Sequence, residues 1–212
     1  MFGFVTEMFV ALAKGEPRPR GETSNGALIM KIKLLSAAAA IALAVAGGAI
    51  AAGEPMVGGA PMYANRNIIQ NAVNSKDHTT LVAAVKAGGL VETLQGTGPF
   101  TVFAPTNAAF AALPSGTVET LLKPENKGTL DKILTYHVVP GRLDSRMLDQ
   151  QIAAGGGRAV LKTVHGEPLT VQGSGKNLMV TDEKGGNARI TIADVYQSNG
   201  VIQVVDKVLI PN

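Results

Sequence analysis

Tyr136 and His137 form a neighbouring pair of aromatic polar residues in a chain with three tyrosines, three histidines and no tryptophan. A phenol beside an imidazole can pass a proton, hold a backbone group or present a contact surface. The partners available to such a pair are few. Cysteine is absent, which excludes a disulfide framework, a thiol nucleophile and a thiolate metal site. His78, His137 and His165 lie far apart in sequence, and with no cysteine a metal site would need carboxylates that the sequence does not place. The run Gly173-Ser174-Gly175-Lys176-Asn177 has the outline of a phosphate loop, but Asn177 stands where a hydroxyl residue is needed and the upstream glycine spacing is wrong. Neither a G-x-S-x-G elbow nor an H-E-x-x-H helix occurs. The sequence therefore predicts no catalytic residue, no metal, no cofactor and no enzyme.

The elements that must position the pair follow from periodicity. Leu130, Ile133 and Leu134 share one face of a helix that leads into Tyr136-His137-Val138-Val139, read as an extended stretch stopped by Pro140. On an extended backbone neighbouring side chains point to opposite faces, so the two rings cannot act as one catalytic pair. One ring is expected in the core and the other in a second layer or in solvent. The plain alternative to a contact role is a buried fastening, its polar atoms satisfied by backbone groups.

Upstream, Asn67 to Val73 and Leu81 to Val85 repeat at helical spacing, with Asp77 or Thr79 as a cap for the second and Gly88-Gly89 as its stop. Leu90, Val91 and Leu94 add a short turn. Phe100 to Phe103 alternates as a strand, and Thr106 or Asn107 can cap a helix over Ala108–Leu113. After Pro140 and a short turn at Met147-Leu148 the patterns become strands: Ala159–Val164, Pro168–Gln172, Asn177–Thr181, Ala188–Ala193 and Val201–Val205, with turns at Gly173-Ser174-Gly175, Gly185-Gly186 and Asn199-Gly200. Asp182-Glu183-Lys184 reads as a solvated turn. Asp206, among apolar residues of the last strand, needs a donor such as a backbone N–H. Helices first and strands later predict an α+β fold.

The formal charge of +3 belongs mostly to the front of the chain, since from Ala52 onward 14 Lys/Arg face 13 Asp/Glu, a net of +1. The sequence shows no basic stripe for nucleic acid. Met30-Lys31-Ile32-Lys33 followed by an uncharged run from Leu34 to Ala52, with Ala49-Ile50-Ala51 as a small-x-small cleavage site, predicts an export signal over residues 30–51. An uncleaved membrane anchor is the alternative. Residues 1–29 then read as an unstructured or gene-model extension, and residues 52–66 as a Gly/Pro-rich linker.

Three segments resemble the fasciclin (FAS1) domain. Thr101-Val102-Phe103-Ala104-Pro105-Thr106-Asn107-Ala108-Ala109-Phe110 is similar to its first signature box, Leu134 to Val139 to its central tyrosine–histidine motif, and Asn199-Gly200-Val201-Ile202-Gln203-Val204-Val205-Asp206 with the residues to Pro211 to its closing box. Order and spacing match over residues 67–212. The resemblance implies a single wedge of β-strands packed with several short helices. It also implies a secreted or periplasmic, surface-associated role in adhesion, with an extracellular matrix, cell-surface or other protein partner. Tyr136, His137, Val138 and Val139 are its candidate interaction motif, and Thr101, Phe103, Pro105, Thr106, Asn107, Phe110, Asn199, Gly200 and Asp206 its structural boxes. Two positions depart from the family pattern: Asn107 stands where an acidic residue is frequent, and Gln203 where a histidine is frequent. The second departure speaks against a metal or proton role built on two histidines. A carrier of an apolar small molecule or lipid is the alternative function, because a helix-and-sheet wedge can enclose an apolar pocket.

Overall fold

The computed structural model describes residues 54–212. The extension over residues 1–29 and the export signal over residues 30–51 lie outside them. Helices dominate the first half: α1 (Ile68–Ala72), α2 (Thr79–Gly88), α3 (Val91–Gln95), α4 (Asn107–Ala111), α5 (Thr117–Leu121) and α6 (Lys127–Tyr136), with α7 (Ser145–Ala154) after them. The strands are β1 (Met56–Val57), β2 (Ala60–Pro61), β3 (Phe100–Pro105), β4 (Val138–Pro140), β5 (Arg158–Lys162), β6 (Pro168–Gln172), β7 (Met179–Thr181), β8 (Asn187–Gln197) and β9 (Gly200–Val205). The α+β architecture is as expected.

Seven strands form one sheet in the order β4-β3-β9-β8-β7-β6-β5. Next to the β4 edge, β3 is paired antiparallel with β4 (Val102 opposite Val138) and parallel with β9 (Phe100 opposite Gly200, Pro105 opposite Val205). The three signature segments are thus spatial neighbours. The sheet curls: the Val164 N–H donates to the Val138 carbonyl at 2.7 Å, so the chain leaving β5 at one edge meets β4 at the other.

Two cores lie on the two faces of β3 and β9. Val102, Ala104, Ile202 and Val204 face the first, under α1, α2, α3 and α6, which contribute Ile68, Leu81, Val85, Leu94, Leu130 and Leu134. Phe103 and Val205 face the second, closed by Leu148 and Ile152 of α7 and by Leu161, Leu169, Val171, Val180 and Ile190 of the later strands. Because both faces are covered, every residue of β9 is buried. Along α2 the buried residues Leu81, Ala84, Val85 and Gly88 recur at the helical period, and Gly89 ends the helix with φ 73°.

Four local expectations are corrected. The stretch over residues 52–66, expected as a linker, is from Met56 onward a hairpin: Gly58 and Gly59 take φ of 58° and 75°, and Val57 and Met62 are buried in the first core. Two buried side chains in so short a segment leave no periodicity to read. Tyr136 ends a helix instead of beginning a strand, and His137 caps it in the right-handed helical region. The last hairpin turns on Ser198 and Asn199, with Gly200 already paired to Gln197. Asp182 is buried, not solvated.

Candidate functional site

α6 delivers the Tyr136 and His137 rings from consecutive positions at its last turn, and both are buried, at 0% and 3% exposure. Val138 and Val139 follow on β4 and are buried as well. The candidate interaction motif therefore offers no side-chain surface to a partner in this arrangement. The rings still diverge, for a helical reason in place of the expected strand alternation: about 100° separates consecutive residues on a helix. Tyr136 enters the second core, whereas His137 borders the first.

The phenol of Tyr136 donates to the Pro168 carbonyl at 2.9 Å and accepts from the Glu183 N–H at 3.2 Å. Burial pushes its pKa up to about 12, partly opposed by the Glu183 N–H. The imidazole of His137 has Nδ1 2.8 Å from the Ile133 carbonyl, so that nitrogen carries the proton. Nε2 is then free to accept from the Leu209 N–H at 3.0 Å. Burial drives the His137 pKa down to about 4, with the Ile133 carbonyl and the Asp182 carboxylate opposing it. Every polar atom of the two rings is engaged by backbone, which is the geometry of a fastening.

The carboxyl-terminal segment is held by a row of such side chains. His137 takes the Leu209 N–H, and Asp182 takes the Ile210 N–H at 3.0 Å with Oδ2 and the Gly186 N–H at 2.6 Å with Oδ1. Glu167 and Glu183 receive the Asn212 backbone and amide N–H groups at 3.1 and 2.8 Å. Asp182 is a fastening residue where the sequence suggests only a solvated turn. Its signal was an acidic residue followed at short range by Gly185-Gly186, the composition of a side-chain-closed turn.

The box residues divide by task. Thr101 donates its hydroxyl to the Gly141 carbonyl at 2.7 Å and accepts from the Leu143 N–H at 2.8 Å, which ties the chain leaving β4 back to β3. Phe103 and Phe110 are core side chains in different cores. Pro105 ends β3 opposite Val205. Thr106 caps α4, accepting from the Ala109 N–H at 3.2 Å. Asn107 caps a different helix. Its Oδ1 accepts from the Thr80 N–H at 3.0 Å, while Nδ2 donates to the Lys76 carbonyl at 2.8 Å and to the Thr79 hydroxyl at 2.9 Å. The start of α2, for which Asp77 or Thr79 was expected, is thus capped from the first box.

Asn199 is buried and fully used: Oδ1 accepts from the Ile68 N–H, and Nδ2 donates to the Leu94 and Gly96 carbonyls. Gly200 is required by close approach, since a Cβ there would lie 2.1 Å from the Phe100 carbonyl oxygen. Asp206 is exposed, and its carboxylate accepts from the Arg189 N–H at 2.7 Å, the backbone donor expected for it. Gln203, fully buried, donates to the Leu143 carbonyl and the Asp194 carboxylate and accepts from the Asp194 N–H. It thereby holds Asp194 at φ 60° in the irregular middle of β8.

Two apolar cavities lie in the first core, bordered by Ile68, Leu81 and Val102 in common, with His137 on one and His78 on the other. The space open to the centre of a water molecule is about 40 and about 30 Å³. That is room for a few waters at most. Among the described residues, no group of three or more His, Asp or Glu side chains comes together as a metal would require.

The family model of the fasciclin domain matches residues 76–211. The chain belongs to the fasciclin family. Among its relatives, the protein sll1483 of a Synechocystis strain is 49% identical over 144 residues, covering 68% of this chain and 73% of its own. The immunogenic protein MPB70 of Mycobacterium bovis is 35% identical over 196 residues, covering 83% of this chain and 93% of its own. The transforming growth factor-beta-induced protein ig-h3 of Sus scrofa is 42% identical over 133 residues, covering 62% of this chain but 17% of that much longer one. The FAS1 domain pair of the insect cell adhesion molecule Fasciclin I shares the fold at a TM-score of 0.60 and 17% identity, over 68% of this chain and 50% of that one. The fasciclin match runs through the segment that contains both rings and through Leu209 and Ile210, whose N–H groups His137 and Asp182 hold.

Proposed function

We propose that this protein is an exported fasciclin-domain binding module that attaches to an extracellular matrix, cell-surface or other protein partner through its outer surface. The observation that carries this reading is the full engagement of Tyr136 and His137 by buried backbone groups. The strongest candidates for chemistry are spent on holding the fold, so function falls to the surface. The fasciclin relatives support it: Fasciclin I is described as a cell adhesion molecule, and MPB83 of Mycobacterium bovis, 39% identical over 122 residues, as a cell surface glycolipoprotein. The export signal over residues 30–51 supplies the route, with the mature chain starting near Ala52. No helix of the described residues is long and apolar enough to cross a membrane. The carrier reading gains nothing from cavities of this size.

The test is fractionation of the source cells with intact mass of the recovered protein, followed by binding of that protein to surface and matrix fractions. A mature chain beginning near Ala52, recovered outside the cytoplasm and binding saturably to such a fraction, is the expected result. An unprocessed chain in the cytosol, or no binding to any extracytoplasmic component, overturns the proposal.

A further inference from the structure

No element of the described residues covers the outward face of β5, β6, β7 and the first half of β8. Strict alternation produces it: Ala159, Leu161, Leu169, Val171, Val180 and Ala188 point into the second core, and the residues between them face solvent. Register aligns those outward residues in rows. Arg158 lies opposite Gln172, Gln172 opposite Met179, and Met179 opposite Arg189. Lys162 stands two outward positions along β5 from Arg158.

Arg158, Lys162 and Arg189 are the charged residues of this face, and none belongs to an ion pair among the described residues. The outward positions from Arg158 to Thr191 on these strands carry no carboxylate. The acid nearest in register is Asp206, and one of its oxygens is committed to the Arg189 backbone N–H. A domain that is close to neutral overall therefore concentrates cations on one surface, with threonine, glutamine and asparagine side chains between them. Val160 at 65% and Met179 at 40% exposure leave two isolated apolar spots on the same plane.

We infer that this face docks an acidic polysaccharide, a flat polyanion bearing carboxylates along its length; the inference rests on the binding-module reading above and names its partner class. Spacing favours a polymer over a small anion. Arg158 and Arg189 are three strand intervals apart, roughly 14 Å, and Arg158 and Lys162 four residues apart, roughly 13 Å, so no two cations converge on one anionic group. The hydroxyl and amide side chains between them match sugar hydroxyls, and Val160 and Met179 can take the apolar face of a ring. A single-stranded nucleic acid would be stacked on aromatic side chains, and none lies here. A bilayer surface would call for Trp or Tyr anchors and a continuous apolar strip, which two separated side chains do not supply.

The full chain as exported is passed over immobilised polygalacturonate at low ionic strength, with neutral dextran as reference. The R158E/K162E/R189E variant is compared with a charge-matched control, K123E/K132E/R146E, altered at exposed positions away from this face. The face variant should lose roughly tenfold or more in affinity and the control less than about threefold. Wild-type retention should fall as salt is raised. Melting curves of both variants establish that they fold, since every altered side chain is solvent-facing. No retention of the wild type, equal loss in both variants, or a preference for phosphatidylglycerol–phosphatidylcholine vesicles over polygalacturonate overturns the inference. If the face variant still binds the extracytoplasmic fraction as wild type does, this surface is wrong while the binding-module reading stands; if neither binds, that reading fails with it.

Discussion

The imidazole Nε2 of His137 accepts a hydrogen bond at 3.0 Å from the backbone N–H of Leu209, a residue 72 positions further along the chain. At its other nitrogen the same ring is fixed by the Ile133 carbonyl of its own helix. The central motif thus clamps the last residues of the domain to the end of α6, next to the junction of β4 with β3. Leu209 is itself buried in the second core, so its N–H has no water to fall back on.

Replacing His137 with Ala should destabilise the domain by about 2–4 kcal/mol, because it orphans the Leu209 N–H and leaves a space in the core. Urea unfolding at pH 7 measures this. A loss under about 0.5 kcal/mol, the range of an unremarkable surface substitution, would deny the fastening role.

Acid should unfold the protein through its buried histidines. In the unfolded chain an imidazole takes its proton near pH 6.5, whereas folded His137 resists protonation down to about 4, chiefly because it is buried. Between those values the unfolded chain binds more protons, so lowering the pH favours unfolding. This contribution is complete above about pH 6.5 and is lost as the pH falls toward 4. For His137 it amounts to roughly 3 kcal/mol. His78, buried beside the Ser75 hydroxyl at 2.8 Å, is also shifted down, by desolvation, and adds in the same direction. Its Nε2 makes no hydrogen bond; the nearby Ala104 carbonyl favours the charged form without reaching bonding geometry. Unfolding free energies at pH 7, 5.5 and 4.5 read the slope. A flat profile over that range contradicts the assignment.

Tyr136 to Phe keeps the ring and removes the phenol, leaving the Pro168 carbonyl and the Glu183 N–H without their partner. The expected cost at pH 7 is about 1–3 kcal/mol. Since burial raises the folded pKa to about 12 against about 10 in the unfolded chain, the phenol's contribution is present below pH 10 and fades as the pH rises toward 12. The gap between wild type and variant should therefore narrow between pH 9 and pH 11.

Asn107 to Ala should cost about 1–2 kcal/mol, as α2 loses the cap that reaches it from the first box. Asn107 to Asp should cost less. The carboxylate keeps the acceptor for the Thr80 N–H and places a negative charge at a helix start, and it gives up the donor to the Lys76 carbonyl. Equal losses in the two variants would show that the amide donor matters more than the cap.

Gly200 to Ala forces a methyl group to within 2.1 Å of the Phe100 carbonyl oxygen. The start of the β3–β9 pairing must then separate, at an expected cost above about 3 kcal/mol. Native-state amide exchange would locate the damage at Phe100–Val102 if this reading is right; a spread of faster exchange confined to the β1–β2 hairpin would refute it.

Local patterns along the chain specify its elements. Alternation marks the later strands, the periods of Leu81 to Val85 and Leu130 to Leu134 mark two of the three ten-residue helices, and the three signature segments mark the family; the third, α7, shows in the sequence only as a short turn at Met147-Leu148. These features are legible because they depend on residues a few positions apart. Tertiary structure alone decided where the polar side chains go. Asn107 caps α2 across 27 residues, Asp182 takes the Ile210 N–H across 28, and His137 the Leu209 N–H across 72. Nothing in a local pattern can name such a partner, since it is chosen by which backbone donors packing leaves unpaired in the interior. The same limit explains the Met56–Pro61 hairpin and the end of α6. Burial in the first core holds the former against its linker-like composition, and β-branched Val138 and Val139 begin the strand only after the helix has carried Tyr136 into the second core. Alternation sets which residues of each strand face outward, but only the pairing register of the sheet brings Arg158, Lys162 and Arg189 to one face.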